Sequence, residues 1–211
     1  MALAILLLRV LRRTTFHLRF VSGSYRSSIM TRQEGTLAPK FAACQINVTA
    51  DKEENHRTAS SFVQRARTEY GANIVALPEC WNCPYANSAF PDFAEDLSQG
   101  TGMRNQWFVE FCCRAHGNYQ TESSPSAALL SRLAKENEIY LIGGSIPERE
   151  GEQLYNTSLT FGPQGQLLGK FRKIHLFDVD VPGKIKFIES DTLSPGKDAA
   201  IIETGGKQSG G

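Results

Sequence analysis

An α/β layer fold with parallel strand pairing is what this sequence predicts, and three observations carry that expectation. The apolar run at 40–48 (KFAACQINV), a helical stretch at 51–70 and a second apolar run at 74–77 follow one another in strand–helix–strand order. That order is the signature of parallel strands joined by a helical crossover. The second run passes straight into Pro78-Glu79-Cys80-Trp81-Asn82-Cys83-Pro84-Tyr85, which puts a carboxylate at the carboxyl end of a strand, where open α/β sheets place their sites. Further on, two strand-like runs at 155–161 and 166–173 flank Gly162-Pro163-Gln164-Gly165, a strong hairpin signal.

The helix at 51–70 has Thr49 or Asp51 as its cap and acids in its first turn. Ala59, Phe62, Val63, Ala66 and Tyr70 recur on one face, and Gly71 supplies the stop. Residues 87–99 read as an irregular loop. The segment at about 100–125 has little periodicity, mixes aromatic residues with Cys112, Cys113 and His116, and reads as an insertion. A second helix follows at 126–137, with Leu129, Leu130, Leu133 and Ala134 on one face. Then come an apolar run at 139–145, the hairpin, a long loop at 174–195 and a short strand at 199–203. The ending GGKQSGG is low-complexity, and 205–211 is expected to be a flexible tail.

Charge and cysteine usage narrow the function classes. The net charge of +1 hides an asymmetry: Arg9, Arg12, Arg13, Arg19, Arg26 and Arg32 all precede the first acid, Glu34. The rest of the chain is acidic on balance, which argues against a nucleic-acid-binding domain. Residues 1–36 are Arg- and Ser-rich and acid-poor, as mitochondrial presequences are. Their apolar start is shorter than the roughly 20 residues a membrane span needs, and its arginines follow rather than precede it. A mitochondrial address is the expectation, with Met30 as an alternative start that leaves a cytoplasmic form, and 1–36 is set outside the fold. Five cysteines, two of them adjacent, argue for a reducing compartment over a disulfide framework.

Glu79, Lys173 and a cysteine would make an amide hydrolase. A thiolate attacks the carbonyl, a carboxylate takes and returns the proton, and a cation stabilises the oxyanion. Glu79 and Lys173 both follow a strand, so one sheet could bring them together. The ordinary alternatives are a solvated loop glutamate and, for Lys170, Arg172 and Lys173, a solvated basic face. Cys80-x-x-Cys83 has dithiol spacing, but Pro84 blocks the helix that redox motif needs. With Cys112 and His116 it could supply four zinc ligands, at an unfamiliar spacing. Cys44 is expected in the core.

Four stretches, LPEC (77–80), YLIGGSIPE (140–148), LYNTSLTFGPQGQLLGKFRKIHLFD (154–178) and VPGKIKFIES (181–190), resemble the carbon–nitrogen hydrolase (nitrilase) superfamily, and within it the omega-amidase branch. The resemblance covers about 40–100 and 126–203. It implies an α-β-β-α sandwich, here the N-terminal part only, with a hydrolase domain over 37–204. It also implies a Glu-Lys-Cys triad that uses no metal or organic cofactor. Glu79 matches the general base, Lys173 the oxyanion-stabilising lysine, Glu189 a supporting glutamate and Tyr85 a position lining the substrate pocket. His175 is then a packing or supporting neighbour of the lysine. The implied reaction is hydrolysis of the terminal amide of 2-oxoglutaramate or 2-oxosuccinamate, through a thioester, to the dicarboxylate and ammonia. The implied partners are that small omega-amide and, for a full-length form, a second subunit in a homodimer, with no nucleic acid or membrane. The family's nucleophile sits in a Gly-Ile-Cys-Tyr-Asp-type elbow after a further strand. No cysteine here has that context, so the chain alone is expected to lack turnover.

Overall fold

The computed structural model describes the backbone of Leu18–Val21 and all atoms of residues 39–98, 123–202 and 204. The strand β1 (Leu18–Val21) pairs in parallel with β2 (Phe41–Cys44), so four residues of the segment set outside the fold join the sheet. The remaining residues before 39 lie outside the described ones, as do 99–122, 203 and the tail 205–211.

Helix α1 (Lys52–Thr68) starts where expected. The Asp51 carboxylate accepts from the amides of Glu53 and Glu54, satisfying donors that no helical carbonyl can reach. Gly71 closes it at φ +64°. Ala59, Val63 and Ala66 are buried. Next come β3 (Ile74–Ala76), a short helix α2 (Phe90–Phe93) and β4 (Glu95–Asp96), the last two inside the stretch expected to be irregular. Helix α3 (Pro125–Asn137) buries Leu129, Leu130, Leu133 and Ala134. The strands β5 (Tyr140–Ile142), β6 (Ile146–Glu150), β7 (Gln153–Phe161) and β8 (Leu167–Arg172) complete the sheet.

Among the described residues this is an eight-stranded mixed sheet in the order β1-β2-β3-β5-β7-β6-β4, with β8 on the other edge of β7. The pairs β2–β3 and β3–β5 are parallel, as the strand–helix–strand order predicts. The main core lies between the sheet and the two long helices, where Ala42, Cys44, Val75, Leu141, Leu159 and Phe161 meet the buried faces of α1 and α3. A buried polar cluster seats the start of α3. Glu95 accepts from the Ser126 amide at 3.0 and 3.2 Å and from Lys52 at 3.3 Å, while Ser126 Oγ bonds His56 Nε2 at 2.8 Å. Burial lowers the His56 pKa, so the ring enters this contact neutral.

The sequence underrated two regions. The expected loop at 174–195 contains an antiparallel ribbon, β9 (Asp178–Val181) with β10 (Ile185–Ile188), followed by a 3-10 turn at Glu189–Asp191. Its strands are only four residues each, and Val181 and Ile185 stay exposed, so no apolar run marked them. Conversely, 199–202 is not a strand. Ile202 instead packs its side chain against Gly169 of β8.

Candidate active site

Topology explains why residues so distant in sequence converge. Ala76 of β3, Ile142 of β5, Thr160 of β7 and Gly169 of β8 lie on one rung of the sheet. Strands β3, β5 and β8 run one way and β7 the other. Glu79 and Lys173, a few residues past that rung, therefore leave the sheet from the same edge.

The Glu79 loop is held by a break in the neighbouring strands. The register against β7 slips by one residue between β5 and β6, across 143–145, which is how a β-bulge behaves. Gly144 sits there at φ +59°, and a Cβ on it would lie 1.9 Å from the Pro78 carbonyl oxygen. Only glycine lets the loop approach so closely. Ser145 donates its amide to the Pro78 carbonyl, and its hydroxyl accepts from the Cys80 amide at 3.0 Å. The Trp81 indole donates to the Gly143 carbonyl at 2.7 Å from a fully buried position. Cys80 takes φ +48°, a left-handed conformation costly for a residue with a Cβ. The bulge and the buried indole hold it there.

Lys173 is fixed through its backbone. Its amide donates to the Asn156 carbonyl at 2.8 Å, and its own carbonyl accepts from the Gly196 amide at 2.8 Å. Its ammonium lies 2.8 Å from Glu79 Oε1, 2.8 Å from Glu189 Oε2 and 3.4 Å from the Tyr85 hydroxyl. Glu189 is fully buried. It also accepts from Tyr85 Oη at 2.5 Å and from the Phe177 amide at 2.6 Å. Tyr85 stacks on Phe187 of the ribbon and meets Phe90 edge-on. A second small core of Cys80, Cys83, Phe90, Leu154 and Leu193 packs beneath these loops.

Of the basic run, Lys173 alone reaches this cluster. Lys170 and Arg172 alternate to the other face of β8 and bind the buried Glu148 there. Arg172 Nη2 approaches it at 2.6 Å, Thr157 Oγ1 donates at 2.6 Å, and Lys170 pairs with the same carboxylate. Burial opposes the charge on Glu148, but the Arg172 and Lys170 contacts prevail and hold its carboxyl below the usual range. The solvated-face alternative is thereby removed, because all three cations are paired with carboxylates on two faces of one strand pair.

The electrostatics suit an acid–base centre. Burial presses the Lys173 pKa down, yet the hydrogen bonds and charges of Glu189 and Glu79 outweigh it and leave the net shift upward. The group stays an ammonium donor and does not become an amine nucleophile. Burial, the Glu189 hydrogen bond and the nearby carboxylates push the Tyr85 hydroxyl up, so it too remains a donor. Hydrogen-bond donors facing a half-buried carboxylate can move protons at Glu79 and stabilise a developing oxyanion at Lys173.

The sequence-selected residues Glu79, Lys173, Glu189 and Tyr85 come together. His175 does not join them; its position is exposed, because β8 has ended and the chain turns outward. The residue missed is Asn156, nearly fully buried, whose amide donates to Glu79 Oε1 at 2.9 Å. Its signal lay inside LYNTS, a polar residue between positions that a strand would bury. Among the described thiols, Cys44 is buried and pushed up to about 11. The contact with Cys83 and burial raise Cys80 well above an ordinary thiol. No hydrogen bond of Glu79 or Lys173 among the described residues involves sulfur. The other half of the zinc reading, Cys112 and His116, lies outside those residues, as does Cys113.

This chain belongs to the carbon–nitrogen hydrolase family, whose match runs over residues 40–211. Omega-amidases stand among its curated relatives. It is 46% identical over 165 residues to omega-amidase NIT2 of Mus musculus, a match covering 78% of this chain and 50% of that one. It is 44% identical over 161 residues to the chloroplastic omega-amidase of Arabidopsis thaliana, covering 76% and 38%. The chain thus spans half or less of the length of these relatives. The fold matches the crystal structure of Saccharomyces cerevisiae Nit3, a member of branch 10 of the nitrilase superfamily. There the TM-score is 0.56 and the identity 34%, over 74% of this chain and 48% of that one. A mutant of the amidase from Nesterenkonia sp. AN1 shares the fold at TM-score 0.51 and 20% identity, over 75% and 50%.

Proposed function

We propose that this chain supplies the acid–base half of an omega-amidase-like active site, which hydrolyses the terminal amide of 2-oxoglutaramate or 2-oxosuccinamate to the dicarboxylate and ammonia. The observation that carries the reading is Lys173 Nζ held between Glu79 and Glu189 at 2.8 Å from each. The identity to omega-amidases over 76–78% of the chain supports it. In this reading Glu79 takes the thiol proton as sulfur attacks the amide carbonyl and returns it to the departing ammonia. Lys173 donates to the tetrahedral oxyanion, and Glu189 keeps the ammonium in place. Tyr85 borders the substrate. Water then cleaves the thioester with Glu79 again as base. Cys44, Cys80 and Cys83 are buried and make no hydrogen bond to Glu79 or Lys173, and none of the five cysteines has the sequence context of the family's nucleophile, so this reading takes the thiolate from elsewhere. No cofactor enters the scheme.

The test is a chimera in which residues 40–202 are continued by the C-terminal half of mouse omega-amidase. It releases ammonia from 2-oxoglutaramate, and Glu79→Gln or Lys173→Met abolishes the release. The 211-residue chain alone releases none. A folded chimera without turnover overturns the substrate assignment, and turnover by the 211-residue chain that depends on Glu79 overturns the missing thiol.

A second reading, a non-catalytic isoform that pairs with or competes for a full-length subunit, is favoured by β8, which among the described residues pairs only with β7 and so offers an edge open to pairing. Co-purification with full-length omega-amidase, and loss of that enzyme's activity in the mixed species, tests it. The acid-free leader, with the organelle named for the Arabidopsis relative, supports import into an organelle, here the mitochondrion. Import of a fluorescent fusion that fails without residues 1–29 checks this.

A further inference from the structure

Asn156 stands where the two halves of the site meet. Its side-chain amide donates to Glu79 Oε1 at 2.9 Å, the same oxygen that Lys173 Nζ approaches at 2.8 Å. Its backbone carbonyl accepts the Lys173 amide at 2.8 Å. One residue therefore touches the carboxylate through its side chain and the lysine through its main chain. It is nearly fully buried on β7 between β6 and β8, paired with Pro147 and next to the Thr157–Arg172 pair, so it cannot follow a moving loop. Its orientation is determined as well. With the amide reversed, its carbonyl would face a carboxylate, and both would be acceptors.

The consequence concerns the two oxygens of Glu79. Oε1 has two donors, one of them cationic. Oε2 has no hydrogen-bond partner among the described residues. Donors to a carboxylate oxygen lower its affinity for a proton, so the two oxygens are not equivalent. We propose that Asn156 is a positioning residue that locks Glu79 to Lys173 through Oε1 and leaves Oε2 as the oxygen that takes and returns the proton. This assignment rests on the hydrolase reading above.

The experiment needs no turnover. Acylation of lysines by acetic anhydride, read by mass spectrometry, reports how firmly each amine is held as an ammonium. Lys186, with its side chain 70% exposed, is the internal reference, and Lys170, held by Glu148 on the other face of β8, is the control for loosening of the strands. Losing the Asn156 donor frees Glu79 to turn from Lys173. Asn156→Leu then raises Lys173 labelling about five- to tenfold relative to Lys186 while Lys170 stays unchanged. Asn156→Ala, which also lacks the donor and adds no charge, acts in the same manner. If Lys173 and Lys170 rise together, the residue merely holds the strands and the proposal falls. If Glu79→Gln raises Lys173 labelling but neither Asn156 variant does, the proposal falls and the hydrolase reading survives. If Glu79→Gln leaves Lys173 unmoved, the pairing beneath that reading is wrong. A measurement on the unsubstituted site covers poorly folding variants. The Asn156 side-chain amide protons exchange slowly with solvent in the native chain and at least about tenfold faster in Glu79→Ala; equal exchange in both overturns the proposal.

Discussion

A lysine between two carboxylates is a stability element. Glu189 is fully buried, and Lys173 is its only charged partner among the described residues. Lys173→Met is therefore expected to cost about 3–5 kcal/mol in urea unfolding, because it leaves an uncompensated buried charge. Removing both charges together in Lys173→Met/Glu189→Gln should recover part of that loss. The upward shift of Lys173 sets a pH window. A group whose folded pKa lies above its unfolded value stabilises the fold below the unfolded pKa, and that contribution is lost as pH rises through the folded pKa. Unfolding free energy should thus fall as pH climbs past the ordinary lysine value of 10.5, and the fall should be smaller in Lys173→Met. At this scale the sequence marked Glu79, Lys173, Glu189 and Tyr85 because they lie in recognisable motifs. It offered Asn156 only as a polar residue inside a strand, because nothing in LYNTS says which neighbour its amide meets. His175 stood beside the lysine in sequence only.

The bulge at 143–145 transmits strand geometry to the site. Gly144→Ala places a methyl group on the Pro78 carbonyl at a positive φ. Backbone cannot yield as a side chain would, so the expected cost is at least about 2–3 kcal/mol. Its signature would be a changed Trp81 fluorescence, because the indole is tied to the Gly143 carbonyl. By contrast, Asp51→Ala should cost only about 1 kcal/mol, the worth of a helix cap, and leave that fluorescence untouched. The helices were legible because their periodicity and caps are local properties. The ribbon at Asp178–Val181 and Ile185–Ile188 was not, since its residues alternate without a buried face. Residues 199–202 showed the converse. An apolar run there suggested a strand, but no strand edge receives it, and Ile202 is buried by its side chain alone.

Across the whole molecule, two ionic clusters sit back to back on the β6–β7–β8 sheet, Glu79–Lys173–Glu189 on one face and Glu148–Lys170–Arg172 on the other. The second governs acid stability. The folded pKa of Glu148 is depressed below its ordinary 4.5, so its contribution is present above that value and lost as pH falls through the folded pKa. Thermal unfolding should show a declining Tm below about pH 4.5, and the decline should be shallower in Glu148→Gln, which starts from a lower Tm at neutral pH. Among the described residues no helix is long and apolar enough to cross a membrane. The sequence by itself determined the α/β class, the main helices, the hairpin and the family, since caps, periodicity and motifs are written along the chain. Only the tertiary structure decided that Lys170 and Arg172 turn to Glu148 on the other face, that Asn156 meets Glu79, and that β3 and β8 deliver Glu79 and Lys173 to one edge. Strand register and side-chain facing follow from pairing between distant segments, and a one-residue slip reverses every side chain, so no local pattern can specify them.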